Sequence, residues 1–589
     1  MSDTNPPPNS VTILYGSETG NAQDFAHYLG RKLRYYSLRP TVSSLDEYDP
    51  RKLVTETRYL IVLCSTTGQG EFPRNLQKFI KFLLRKRLPK DLLNHVKFTT
   101  FGLGDSSYPK FNFAIKKIHT RLLQLGCTEL SARCESDEMS PEGIDGYFAE
   151  WVEKLVPALT GQFPRLFQID DHTLLPPEYK IDVSPDSADV ASGEDLALTR
   201  SLNLHRGRVL ENHRITAADH FQDVRHIVIE SDSVLLYSPG DTLALYPPND
   251  DRSVELLLQL QPHWLAVADK PLKISSDVEV EGGLISQEHM TLRNLIKYHL
   301  DVSSIPRRTF FGLLFHFVDD STDDGKREKE KLYDFSKLEE SEDLYDYANR
   351  PRRLILETIM EFETNLKIPV EYIVDLIPLI KVRLFLIASK PSPNSVEIAV
   401  AIVEYKTMLR RIRRGLCTKW LKQLQPGTPL VFSVHLSNIS FGDDLLEKPP
   451  VLMIAPGTGI APMKSLIEKE AGNRSLVLFQ GFRETQKDYL FQSVWEPLVQ
   501  LSTLQVYNAV SREAGAKHKY VQDRLFAEKD LVRSLIVDEK AIVFVCGSSG
   551  NMPRQVRITL VEILRGSVTD PEQYLLDMEN GGRYIQETW

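Results

Sequence analysis

Cysteine is scarce: the chain has five in 589 residues, Cys64, Cys127, Cys134, Cys417 and Cys546, and no two form a C-x-x-C pair. That excludes a disulfide framework and a structural zinc site, and it fits a reducing compartment. Long apolar runs are absent too; no stretch reaches the roughly 18 consecutive apolar residues that a membrane-spanning helix needs. The opening residues MSDTNPPPNS have neither the basic nor the apolar segment of a secretory signal. Positive charge is short, with 71 Lys and Arg against 80 Asp and Glu and a net charge of −9. General nucleic-acid binding needs a basic stripe, so it is not expected, whereas a basic protein partner would suit the balance. The expectation is a soluble cytoplasmic protein with no bound metal and no membrane anchor.

What is present is ordinary globular composition, 42% apolar and 26% charged, at a length that implies three or four domains. After a tail over residues 1–10, expected to be disordered, residues 11–158 alternate apolar strand runs (VTILY, YLIVLCS, VKFTTFGLG) with helical stretches. That rhythm predicts a parallel, doubly wound sheet. Proline, serine and acid without periodicity mark 159–200 as a linker. Residues 201–440 mix short alternating strands with helices, which predicts an antiparallel barrel carrying a helical insertion at about 255–375. Its piece DDSTDDGKREKEK reads as a solvated excursion. From 441 to 589 the α/β rhythm returns with a second nucleotide-type sheet.

Three loops fall at the carboxyl ends of the first strands, where such sheets bind ligands: GSETGN, STTGQGEFP and GLGDSSYPKFN. The first, between a strand and a helix start, is placed to trap phosphate with backbone N–H groups. It carries no lysine; Ser17, Thr19 and Asn21 supply hydroxyls and an amide instead. A terminal phosphate ester suits such donors. Tyr108 in the third loop adds an aromatic face for a flat ring, and together the loops look like a flavodoxin-type FMN site.

With YSPGDTLALYPPND, RLFLIAS, RRGLCTKWL, APGTGIAPM, SREAGAKHKYVQ, VCGSSGNM and the terminal ETW following in order, the chain resembles the NADPH-dependent diflavin reductases. These fuse a flavodoxin to a ferredoxin–NADP reductase-like unit. The resemblance implies FMN, FAD and NADPH as cofactors. FMN is placed against Ser17, Glu18, Thr19, Gly20, Asn21 and Ala22 of the first loop and Ser65, Thr66, Thr67 and Gly68 of the second. Around the third it meets Leu103, Gly104, Tyr108, Phe111, Asn112 and Asp137. FAD falls to Arg383 at its phosphate, Phe385 on its ring, Leu386, Ala388 and Ser389, with Gly415, Leu416, Cys417 and Thr418 at the pyrophosphate. NADPH falls to Gly457 and Thr458 of the GTGIAP turn (457–462) and to Ser511, Arg512, Tyr520 and either Lys517 or Lys519 at the 2′-phosphate. Cys546, Glu587 and Trp589 take the places that surround hydride transfer in the family, with Trp589 covering the flavin.

One position departs from the family pattern. Where R-x-[YF]-S-I is usual, this chain reads Arg383, Leu384, Phe385, Leu386, Ile387. Leu386 cannot donate a hydrogen bond to the reacting groups, so the first step is expected to be handicapped. Without an anchor or an oxygenase region, the chain is most similar to the soluble reductase of cytosolic iron–sulfur protein assembly. That implies an iron–sulfur acceptor of the anamorsin type; a monomer is the working expectation, which the sequence itself does not fix. A haem protein or sulfite reductase as acceptor, or a flavin-binding scaffold with impaired hydride transfer, are the alternatives. The stretch 129–150 holds seven acids and one arginine near the third loop, a face that would steer a basic partner. The 159–200 linker would let the flavodoxin domain turn from one electron partner to the other.

Overall fold

The run SVTILYG forms β1 (Ser10–Gly16), and its Val11, Ile13, Leu14 and Tyr15 are all buried. Burial on both faces is what a central strand of a parallel sheet requires. The computed structural model describes residues 9–67, 70–108, 110–183, 204–276, 290–339, 341–408, 410–437, 439–442 and 448–588. The chain divides into two compact units. The first takes Met1–Arg200, Asn249–Leu379 and Thr407–Leu409; the second takes Ser201–Pro248, Ile380–Lys406 and Arg410–Trp589.

In the first unit β1 is joined by β2 (Arg39–Ser44), β3 (Tyr59–Ser65), β4 (Lys97–Gly104), β5 (Thr128–Glu129) and β6 (Cys134–Asp137). The order is β2-β1-β3-β4-β5 with β6 also on β4, and all pairs are parallel. Helix α1 (Asn21–Arg34) and the helix Gly143–Thr160 cover one face through Phe25, Leu29, Trp151 and Leu155. Phe79, Ile80, Ile115 and Ile118 cover the other. This is the doubly wound flavodoxin arrangement, with the winding reversing at β1 and β3.

The helical insertion runs from the helix Asp251–Leu260 to the helix Ile373–Leu376 and has its own core around Trp264, Phe311 and Leu314. Part of the expected linker belongs to it. Tyr179–Val183 is a strand, antiparallel to Pro271–Ser276, because Ile181 and Tyr179 bury themselves on that core. Residues 184–200 and most of the expected tail lie outside the described residues. The charged excursion is a helix as well, Asp323–Asp334, begun by the Thr322 hydroxyl accepting from the Gly325 N–H at 3.0 Å. It anchors through buried Leu332 and shows its charges to solvent.

Asp375 closes the insertion onto the former linker. Its Oδ2 accepts from the Glu178 N–H at 2.8 Å, while Oδ1 is buried with no partner among the described residues. Burial, and next the neighbouring Glu178 charge, push its carboxyl from 3.8 up to about 7, against the pull of Arg31 and Arg34. A raised carboxyl favours folding in its neutral form. The stability it contributes is therefore full below about pH 4 and drains away as pH rises through 7. Asp375→Asn should stabilise the first unit at pH 8 by on the order of 2 kcal/mol. It should also flatten the stability profile between pH 4 and 7; an unchanged profile by urea titration would remove Asp375 as the cause.

The second unit begins with a six-stranded antiparallel sheet. In space its strands run Arg383–Leu386, Thr242–Leu245, Pro429–His435, Leu204–Arg214, Val224–Ser231 and Ser395–Ala401. An antiparallel bridge between Ile387 and Ile398 brings the two end strands together, which closes the barrel. Beside it lies an all-parallel five-stranded sheet, in the order Gln505–Val510, Leu476–Phe482, Val451–Pro456, Ile542–Gly547, Tyr584–Thr588. Glu397 pins barrel to sheet, accepting from His226 Nε2 and from the buried Lys464 Nζ, both at 2.8 Å. Burial alone would raise the Glu397 carboxyl, but those two donors hold it down at about 2.

Candidate functional site

The three loops of the first sheet leave β1, β3 and β4 side by side. Gly20 takes a left-handed φ of 99°, and its N–H donates to Ser17 Oγ at 2.9 Å, so the first loop curls before Asn21 opens α1. Ala22 is buried beneath the loop. Glu18 turns its carboxylate outward, where Oε2 accepts from the Arg74 N–H at 3.1 Å. What remains for an anion is backbone N–H groups with the Ser17, Thr19 and Asn21 side chains, a donor set that fits a phosphate ester.

The loops brace one another. Ser65 Oγ donates to Gly16 O at 3.3 Å, the Thr66 N–H donates to Leu103 O at 2.9 Å, and Thr66 Oγ1 accepts from the Ala114 N–H. The Thr67 N–H donates to Glu71 O at 3.0 Å, and Gly68 lies outside the described residues. Tyr108 is 41% exposed at the mouth. Phe111 is half-buried under the Lys116 ammonium, 5.2 Å from its ring centre.

Two of the expected contacts also brace the loops. Asn112 is fully buried, donates from Nδ2 to Ser136 O at 2.9 Å, and lies so close that a Cβ on Gly104 would come within 2.9 Å of it. It props the strand ends from below, and its Oδ1 is buried with no partner among the described residues. Asp137 Oδ1 accepts from the Ser106 and Met139 N–H groups, at 2.9 and 3.0 Å. Bonds from Ser106 hold its carboxyl below the ordinary range, and its work is to tie the third loop to β6.

In the barrel, Arg383, Leu384, Phe385 and Leu386 are all half-buried. Alternation sends Phe385 against the barrel core and Leu386 towards the cluster that holds Cys546. The Arg383 guanidinium donates to Lys381 O at 2.7 Å, and its charge reaches the Cys417 thiol, so strand and 415–418 turn meet. Burial pushes that thiol up to about 12, opposed by Arg383. Cys417 points into the core, and Thr418 Oγ1 accepts from the Val403 N–H at 3.1 Å. The Gly415 N–H donates to Val403 O at 3.0 Å, so the backbone donors the turn has left for a pyrophosphate begin at Leu416, the first residue of the helix Leu416–Gln423, with Arg383 as the nearby cation. Ala388 and Ser389 are buried; Ser389 Oγ bonds the Tyr237 hydroxyl at 2.8 Å and accepts from the Glu397 N–H. These bonds brace the end of the strand.

In the parallel sheet the turn Gly457–Gly459 leads into the helix Ile460–Glu470. A Cβ on Gly459 would lie 2.2 Å from Cys546 O, so glycine is what lets this turn press on the neighbouring strand end. Cys546 is fully buried and pairs in register with Glu587. Burial, with the Glu587 charge adding, drives its thiol well above the ordinary value, so it stands protonated beside the turn. Trp589 lies outside the described residues. Arg512, Arg483 and Lys487 line an open cavity of about 310 Å³ with Phe221, whose ring carries the Arg483 guanidinium at 3.8 Å. Ser511 Oγ donates to Phe482 O, and Lys517, Lys519 and Tyr520 are exposed on the same loop. Asp219 and Glu484 line the cavity as well and pair with Lys487 Nζ at 3.2 and 3.1 Å. Sequence reasoning missed Arg483; the signal was its place just after the strand Leu476–Phe482 in GFRETQK.

A flavodoxin sheet, an antiparallel barrel and a parallel nucleotide sheet define a two-flavin, nicotinamide-dependent electron-transfer enzyme. Family models match in that order: Flavodoxin over 13–151, FAD binding domain over 200–420 and Oxidoreductase NAD-binding domain over 453–557. The chain is 58% identical to NADPH-dependent diflavin oxidoreductase 1 of Debaryomyces hansenii, covering 99% of both chains. It is 53% identical to the protein of that name in Candida albicans, over 98% of this chain and 99% of the relative. For the Saccharomyces cerevisiae protein the identity is 40%, with the same coverage. The chain belongs to the NADPH-dependent diflavin oxidoreductases, with FMN, FAD and NADPH as its cofactors. Bound flavin accepts hydride as an electron pair and can release electrons one at a time.

Proposed function

We propose that this reductase carries electrons from NADPH through FAD and FMN to a small iron–sulfur protein of the anamorsin type, in cytosolic iron–sulfur cluster assembly. The observation that carries the proposal is the acidic rim of the FMN loops. The Glu138 N–H donates to Gly104 O at 2.9 Å, which sets an exposed carboxylate, and the 64% exposed Met139 after it, beside the third loop. Glu142 is exposed a few residues on. Glu135 contributes little field, because Arg133 at 2.7 Å and Lys116 at 3.1 Å neutralise it. An acidic rim around an apolar tip suits a basic electron-transfer partner that docks briefly. No described helix is long and apolar enough to cross a membrane.

The variant Glu138→Gln with Glu142→Gln should slow reduction of the purified iron–sulfur protein by about three- to tenfold at low ionic strength and converge with wild type at high salt. Flavin reduction by NADPH should not change. The proposal also requires a higher kcat/KM for that protein than for cytochrome c or a sulfite reductase haemoprotein; the reverse order would reassign the acceptor.

A further inference from the structure

The phosphate loop of the flavodoxin module has no cation of its own between residues 15 and 26. One arrives from the helical insertion. Arg307 Nη1 donates to Asn21 Oδ1 at 3.0 Å, and Nη2 donates to Thr19 O at 2.8 Å. The two residues that follow secure it there. Arg308, buried, donates from Nη2 to Asp145 Oδ1 at 2.9 Å, and Thr309 Oγ1 donates to Asp24 Oδ1 at 2.5 Å. Arg31 Nη1 returns a bond to Thr309 O at 2.7 Å. Three consecutive side chains thus seat the start of the helix Arg308–Leu314 on the loop, on the helix Gly143–Thr160 and on α1.

The contact changes what the loop offers an anion. An asparagine amide has one oxygen and two N–H donors. With Oδ1 held by Arg307, Asn21 has only donors left to present. The Thr19 carbonyl, whose lone pairs would repel a phosphate, is engaged by the same guanidinium. Two of Arg307's five N–H groups are used this way, and its positive charge stands at the loop.

We propose that Arg307 is the cation of the FMN 5′-phosphate site, supplied by the helical module, so that FMN binding and seating of that module strengthen each other. The coupling is reciprocal: what the phosphate gains from Arg307, the seated helix gains from the phosphate. The inference concerns the FMN site and holds whichever protein accepts the electrons.

The test uses the full-length chain with FAD retained and FMN removed, titrated with FMN or with riboflavin, which lacks the phosphate, and read by flavin fluorescence. Arg307→Gln should weaken FMN by about tenfold or more while leaving riboflavin unchanged, as expected for a lost charge-assisted contact. Arg307→Lys should recover part of the loss, since it keeps the charge without the planar fork. In the wild type, FMN should slow amide exchange in the helix Arg308–Leu314 more than riboflavin does. Unaltered FMN affinity in Arg307→Gln, or an equal loss for both flavins, would overturn the phosphate role. Equal protection of the helix by both flavins would overturn the coupling.

Discussion

Leu386→Ser is expected to speed the reduction of bound flavin by NADPH by roughly tenfold to a hundredfold. Leu386 ends the strand Arg383–Leu386, pairs with Thr242, and packs half-buried against Ala461 and the cluster that contains Cys546 and Met463. It therefore stands beside the turn and strand end where the nicotinamide module meets the barrel, and it brings only methyl groups there. Cys546, whose buried thiol stays protonated, offers only the weak S–H donor there. A serine hydroxyl at this position supplies a donor that strengthens as charge shifts in the transition state. Trimming a half-buried leucine costs about 1 kcal/mol of stability, less than a fully buried one would. Anaerobic stopped-flow of flavin absorbance measures the rate. Leu386→Ala separates the hydroxyl from the space it needs: equal rates in the alanine and serine variants would mean that room, not a donor, is what Leu386 withholds. No acceleration in either would leave Leu386 a packing residue.

The sequence announced the sheets and their loops because parallel strands buried on both faces leave an unmistakable apolar run, as in β1 and β3. Glycine at Gly20 and Gly459 marked turns for a reason the coordinates make explicit, a left-handed φ in one case and a strand end at van der Waals contact in the other. The strand Tyr179–Val183 escaped notice because five residues set among proline and acid carry too little periodicity. Its partner, Pro271–Ser276, is about ninety positions away in the chain, and pairing at that distance leaves no local trace. Arg307 escaped for the same reason, since nothing in PRRTFF points to a loop that its guanidinium meets 286 residues earlier. For Asn112 and Ser389 the bracing bonds are what the sequence did not announce. Each belongs to a motif that surrounds a cofactor, but a motif does not say which of its members face the ligand and which hold up those that do.

Arg474→Met is expected to destabilise the second unit by about 3–5 kcal/mol, the usual cost of leaving one member of a buried ion pair alone. Arg474 and Glu470 have side chains 0% and 1% exposed, with Nε and Oε2 3.2 Å apart. Arg474 Nη1 also donates to Phe441 O at 2.6 Å, which ties the entry to the parallel sheet onto the same pair. Lys448 Nζ, 2.9 Å from Glu470 Oε2, and Lys469 Nζ, 3.9 Å from Oε1, are both partly exposed and solvated, so they do not replace the buried guanidinium. Glu470 is the last residue of the helix that starts at the Gly457–Gly459 turn. Loss of its partner at one end should therefore loosen the nucleotide turn at the other and raise the KM for NADPH along with lowering the unfolding midpoint. The double variant Glu470→Gln with Arg474→Met removes both charges and should recover at least half of the loss, because the penalty lies in the stranded carboxylate more than in the missing attraction. Urea unfolding followed by hydrogen exchange within the sheet reads the second unit separately from the first, which a single whole-chain midpoint does not. A single variant that loses less than about 1 kcal/mol would mean that Lys448 and water solvate Glu470 after all, and that the pair sets the geometry of the helix end without stabilising it.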